Sequence, residues 1–107
     1  MFTKHDPTGF KTPIDGIDMK TLSYGEKTLT TRFHLKKDAL LPRHSHPHEQ
    51  AGFLLSGKML LTIGMDEWIV EPGDAWTIKG GIEHQAKILQ DSVAIEVFSP
   101  VRKDYLP

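Results

Sequence analysis

The sequence predicts an all-β fold, a sandwich or small barrel, on three observations. Nine glycines and seven prolines punctuate the chain at roughly every ten residues, the turn spacing of such folds. Several intervening segments alternate apolar and polar residues with a period of two. No segment carries the apolar repeat of an amphipathic helix.

The elements follow in order. From Thr28, the run TLTTRFHL sets Leu29, Phe33 and Leu35 on one face and Thr30, Arg32 and His34 on the other, a strand between two environments. Gln50 to Ser56 is nearly all apolar and reads as a strand stopped by Gly57. Met59, Leu61 and Ile63 share one face of the next strand, which ends near Gly64. Met65-Asp66-Glu67 reads as a turn into Trp68-Ile69-Val70, and Glu71-Pro72-Gly73-Asp74 as another turn. Ala75 to Ile78 makes a short strand ahead of Lys79-Gly80-Gly81. Two last strands are expected at residues 84–89 and 92–98, broken by Gln90-Asp91. Residues 1 to 10 and the tail from Pro100 look loosely organised. One domain is therefore expected over residues 1–107, with a core spanning 11–99.

Composition excludes several classes. Thirteen Lys and Arg stand against fourteen Asp and Glu, a formal charge of −1, unlike a surface built to neutralise phosphates, so no nucleic acid partner is expected. No apolar run reaches the roughly 18 residues of a membrane span. The start, MFTKHDPTGF, lacks the apolar core of a secretory signal. There is no cysteine, hence no disulfide and no thiolate metal site. A cytoplasmic location is the expectation.

Chemistry concentrates at RHSHPHEQ, residues 43–50. Imidazoles at i and i+2 project to one side of an extended chain, so His44 and His46 can converge on one ion. Gln50 keeps that parity if the chain stays extended past Pro47. A further ligand must come from elsewhere, and His84 opens a strand after a glycine turn. His48 and Glu49 remain alternatives to Gln50, or solvated loop residues. His5 and His34 read as structural or exposed. A second anomaly lies near the C-terminus. Glu96 and Phe98 share parity with Ala94, while Val93, Ile95 and Val97 take the other face. A carboxylate on an apolar strand face is costly to bury unless it meets a wet or metal-containing cavity. Arg102, just beyond, has the fork geometry to clamp a substrate carboxylate, or is a surface arginine in the tail.

His44, His46 and Gln50, followed by Gly57, Gly73, Gly81 and His84, resemble the two signature motifs of the cupin superfamily. The resemblance implies a small single-domain β-barrel of the jelly-roll or double-stranded β-helix type. It also implies one divalent metal, held by two His and a carboxylate of the first motif and one His of the second. Here Gln50 stands where Glu is usual, Asp38 where the first motif opens with Gly, Lys79 in place of Pro and Ile88 in place of Asn. A His3Gln donor set suits Zn, Ni, Fe(II), Mn or Cu.

A narrower resemblance, in HSHPHEQ, the following SGK and the tail EVFSPVRKDYL, is to the KdgF-type cupins. That family opens the rings of 4,5-unsaturated uronates from pectin and alginate lyases to linear 5-keto-4-deoxyuronates. Its acidic, aromatic and arginine residues match Glu96, Phe98 and Arg102, with Glu in place of Asp. The resemblance implies Glu96 as general acid/base, Arg102 as carboxylate anchor, Phe98 as pocket wall, and a Lewis-acid metal on His44, His46, Gln50 and His84. Two other readings of the ligand set are a mononuclear-iron dioxygenase and a non-catalytic sugar- or metal-binding cupin. A homodimer is expected, because so small a barrel buries only about two-thirds of its unfolded surface. Trp68, Trp76 and the N-terminal segment are candidates for its interface.

Overall fold

The computed structural model describes residues 1–107 and contains eight strands, all pairing antiparallel. They are β1 (Lys11–Ile14), β2 (Ile17–Tyr24), β3 (Leu29–Leu35), β4 (Leu40–His44), β5 (Glu49–Ile63), β6 (Asp66–Val70), β7 (Ala75–Ile78) and β8 (His84–Ser99), followed by a 3-10 turn at Lys103–Tyr105. The all-β jelly roll anticipated from the sequence is the fold observed. In β3 the alternation holds: Leu29, Thr31 and Phe33 are buried, while Thr30, Arg32 and His34 lie on the outer face.

Two corrections concern the long strands. Gly57 does not stop β5, nor does Gln90-Asp91 break β8; each continues through a kink, with register shifts around Leu54, Ser56 and Lys58. Gly57 adopts φ +95°, and a Cβ there would sit 2.1 Å from Ser92 Oγ and 2.4 Å from the Asp91 carbonyl. Glycine thus lets the strands cross in close contact, and Lys58 N–H donates to Ser92 Oγ at 3.0 Å. The pattern is an interruption in side chains, not in pairing.

The kinked β5/β8 pair serves two sheets. The N-terminal half of β5 and the C-terminal half of β8 join β3, β2 and β1 on one side and β7 on the other. Their other halves join β4 and β6. Leu29, Leu54, Met59, Leu61, Ile88 and Phe98 fill the space between. Strands β1, β2 and β4 were not anticipated, although Ile17 and Met19 carry the period-two signal and are buried. The turn before β6 is only Gly64-Met65; Asp66 and Glu67 already pair with β5.

The ends also differ from expectation. Val101, Tyr105 and Leu106 pack on the core, and Thr21 Oγ1 donates to the Tyr105 carbonyl at 2.5 Å. Apolar side chains spaced along the tail give it a surface to bury, so it is not loose. Residues 1–10 form no strand, yet Lys20 Nζ donates to the carbonyls of Asp6 and Thr8 at 2.9 and 2.7 Å. No helix is long and apolar enough to cross a membrane.

Candidate metal centre

Strand β4 ends at His44 and β8 begins at His84, and the two are Cα partners across the ladder. His46 lies in the short connection to β5, which is tied down by the Gly81 N–H donating to the His46 carbonyl at 2.8 Å. Gly80 makes this approach possible, since a Cβ there would stand 2.2 Å from the Pro47 carbonyl oxygen. The glycine pair is therefore what seats His46 beside His84. The ring centroids lie 4.2 Å apart for His44 and His84, 5.0 Å for His46 and His84, and 5.7 Å for His44 and His46.

The hydrogen bonds fix the tautomers. Nδ1 of His44, His46 and His84 meets the carbonyl of Pro42, His48 and Ile82 at 2.9, 3.0 and 2.9 Å. A carbonyl only accepts, so each Nδ1 carries the proton and each Nε2 offers a lone pair, the arrangement typical of metal-binding imidazoles. One ligand atom from each of the three rings falls within 4.8 Å of the other two. The His84 Nε2 is buried without a partner. The His46 Nε2 faces Gln50 Oε1 at 3.0 Å, two lone pairs with no proton between them. Gln50 Nε2 in turn donates to Glu96 Oε1 at 2.5 Å, which holds the amide oxygen toward His46 whenever Glu96 is ionised. Such converging acceptors fit a divalent cation bound by the three histidines, with the Gln50 oxygen adjacent.

Burial, with a smaller push from the Arg102 charge, holds the His46 imidazole below the usual histidine range; burial does the same at His84. Both therefore favour the neutral, ligating form. Glu96 shows the opposite response to the same cause: burial pushes its carboxyl up to about 7, against the opposing pull of the Gln50 amide, the Trp76 indole and Arg102. The Trp76 N–H makes no hydrogen bond of ordinary geometry. Its ring reaches the site only because residue 52 is glycine: a Cβ on Gly52, the β-ladder partner of Glu96, would lie 2.1 Å from the indole.

Of the residues singled out in the sequence, His44, Gln50, His84, Glu96, Phe98 and Arg102 line one cavity of ≈ 70 Å³, and His46 packs against His84 and Phe98 among them. Arg102 is not a mobile surface arginine. Its guanidinium lies 3.9 Å from the Tyr105 ring centroid and 5.0 Å from that of Phe98, and it donates to both Asp104 oxygens at 3.2 and 2.7 Å. Phe98 is 1% exposed and packs edge-on against His46, a wall rather than an open stacking platform. Glu49 is exposed, and His48 contributes its carbonyl to His46. His34 stacks under Phe10 on the outer face, and His5 is exposed. Sequence reasoning missed Gly52, Gly80, Asp104 and Tyr105, and placed Trp76 only as an interface or core candidate. The spacing of the glycines is the one signal that pointed toward any of them.

Residues 31–99 match the cupin domain family. The pectin degradation protein KdgF of Dickeya dadantii is 28% identical over 103 residues, 94% of each chain. The structure of KdgF from a Halomonas species superposes with a TM-score of 0.93 at 26% identity, covering 99% of this chain and 100% of that one. An RmlC-like cupin from Shewanella frigidimarina gives 0.92 at 20% identity over 98% and 95% of the two chains, a likeness of fold. With a two-sheet barrel, three convergent imidazoles and these matches in agreement, the chain belongs to the cupin domain family and resembles its KdgF members along nearly its whole length.

Proposed function

We propose that this cupin is a metal-dependent, non-redox enzyme of the cytoplasm that opens the ring of 4,5-unsaturated uronates to linear 5-keto-4-deoxyuronates. The observation that carries the reading is the Gln50–Glu96 contact beside the three histidines, because it puts a proton-carrying carboxyl next to a cation site in one cavity. The similarity to proteins named KdgF supports the substrate class.

His44, His46, Gln50 and His84 would hold the metal, which supplies Lewis-acid polarisation of a substrate oxygen. Arg102, stacked on Tyr105 and braced by Asp104, presents its remaining donors to the substrate carboxylate. Glu96 takes the proton of the anomeric hydroxyl as the bond from C1 to the ring oxygen breaks and the aldehyde forms. It then delivers that proton to C4 as the released enolate becomes the C5 ketone. Atoms balance without an oxidant, since one proton moves from oxygen to carbon. Burial raises this carboxyl to about 7 in the metal-free protein, which favours a group able to hold as well as release a proton. Phe98 and Trp76 wall the cavity.

The test is a turnover assay on unsaturated galacturonate and unsaturated mannuronate, following loss of the conjugated-enol ultraviolet absorbance over the non-enzymatic background. Chelator-treated protein should fall to background and regain activity with Zn, Ni, Mn or Fe(II). Glu96→Gln should lower kcat at least a hundredfold, and Arg102→Ala should act mainly on KM. Full activity in both His84→Ala and Glu96→Gln would overturn the reading. The working unit is a homodimer in this proposal. Half-exposed Phe53 and Leu55 on β5 adjoin Val93, Ile95 and Val97 on the outer face of β8, an apolar sheet face for a second copy.

A further inference from the structure

A second cleft, of ≈ 360 Å³, lies on the outer face of β2 and β3 beneath the N-terminal segment. It is separate from the metal centre: Arg32 and His34 point outward from β3, whereas Thr31 and Phe33 point into the barrel. Lys4, His5, Lys20, Arg32 and His34 line it, with Asp6 as its only acid. Three full positive charges thus face one carboxylate on a chain whose overall charge is −1.

Its charges are placed against their own repulsion. Lys20 and Arg32 are directly opposed Cα partners across the antiparallel β2/β3 ladder, an arrangement that is destabilising for like charges. Within the cleft only Asp6 offsets it, and Asp18 lies on the same face as the ladder partner of His34. Lys20 Nζ is directed to two neutral carbonyls, of Asp6 and Thr8. One oxygen of Asp6 is taken by the Thr8 N–H and hydroxyl, at 2.9 and 2.7 Å. Arg32 Nε donates to His34 Nε2 at 3.0 Å, which leaves the two terminal nitrogens of the guanidinium free. That bond also fixes the His34 proton on Nδ1, and the ring is held by stacking on Phe10 at 4.4 Å.

We infer that this cleft is a binding site for a small oxyanion, a carboxylate or phosphoryl group held by the free Arg32 nitrogens and Lys20, with Lys4 and His5 closing over it from the N-terminal segment. An anion between Lys20 and Arg32 turns the opposed charges from a cost into a clamp, and the planar guanidinium suits bidentate oxyanion recognition.

The test is backbone-amide NMR of the full chain, titrated separately with inorganic phosphate and with D-galacturonate. Saturable shifts are expected at residues 4–10 and at Lys20, Arg32 and His34, with Kd about 1 mM or tighter, weakening as NaCl is raised. Arg32→Gln should weaken binding at least tenfold, and so should Lys20→Met, while both variants keep the dispersed amide spectrum of the parent. Which anion saturates identifies the group as phosphoryl or carboxylate. The inference is overturned if neither anion gives a saturable shift, if the shifts appear only at the metal centre, or if both variants bind as the parent does.

Discussion

Replacing Glu96 by Gln in the metal-free protein isolates the cost of holding a carboxylate inside this barrel. Burial raises its titration from 4.5 to about 7, so between those limits the folded chain binds a proton that the unfolded chain has released. Stability must then fall as pH rises, with the loss complete above pH 7. At about 1.4 kcal/mol per unit the shift corresponds to about 3 kcal/mol; the side chain keeps partial solvent contact, which reduces the expected loss to about 2 kcal/mol. His46 and His84 run the other way, because their depressed values add stability as pH rises toward the usual histidine range. Comparing parent and variant at each pH removes that contribution. Urea unfolding in the presence of chelator, at intervals from pH 5 to 8, should show Glu96→Gln gaining about 2 kcal/mol on the parent across the range. Parallel stability curves with a constant gap would refute the reasoning.

Other perturbations probe separate parts of the molecule. Divalent metal at a hundred times its Kd should stabilise the protein by about 2.7 kcal/mol; chelation or His84→Ala should abolish that gain in a thermal melt. Gly52→Ala puts a Cβ 2.1 Å from the Trp76 indole, and overpacking of this kind costs about 1–3 kcal/mol in urea unfolding. Phe53→Glu, on the apolar outer face of β5, should convert a dimer to a monomer in light scattering without loss of fold.

How much was legible follows from what each residue does. Period-two alternation betrayed β3 and the interior of β8, because side-chain parity is a local property of an extended chain. The three histidines were legible for the same reason, with the i, i+2 pair and the glycine turn before His84 as signals. What failed was local too: Gly57 and Gln90-Asp91 read as strand ends because a kink and a stop leave the same residues, and only the partner strand tells them apart. Pro42 hid β4, whose edge position tolerates a residue with no N–H to give. Arg102 stood open between a substrate clamp and a surface arginine of the tail, because Asp104, Tyr105 and Phe98 brace it through contacts whose geometry no spacing rule encodes. Gly52 and Gly80 matter through the close approach that a missing side chain permits, so only their placement among the other glycines, and no chemistry of their own, marks them in the sequence.

Two departures, Gln at position 50 where the general cupin motif has Glu and Glu at position 96 where the KdgF resemblance implies Asp, meet in the structure. They lie 46 residues apart and in contact, the Gln50 amide donating to the Glu96 carboxylate at 2.5 Å. With Glu at both positions, two carboxylates would meet there and could not both ionise. A shorter Asp at 96 would withdraw the acid by more than an ångström and leave room for a charged residue at 50. Because the amide and the longer acid are in contact, their substitutions are expected to be coupled and not to add in stability. Gln50→Glu alone should destabilise the metal-free protein at pH 8, Glu96→Asp should strip the amide of its acceptor, and the double variant should recover about 1 kcal/mol or more of the summed loss in a double-mutant cycle. Additivity within about 0.5 kcal/mol would mean that the two substitutions are independent, and that the 2.5 Å contact between them has no part in holding the acid beside the histidines.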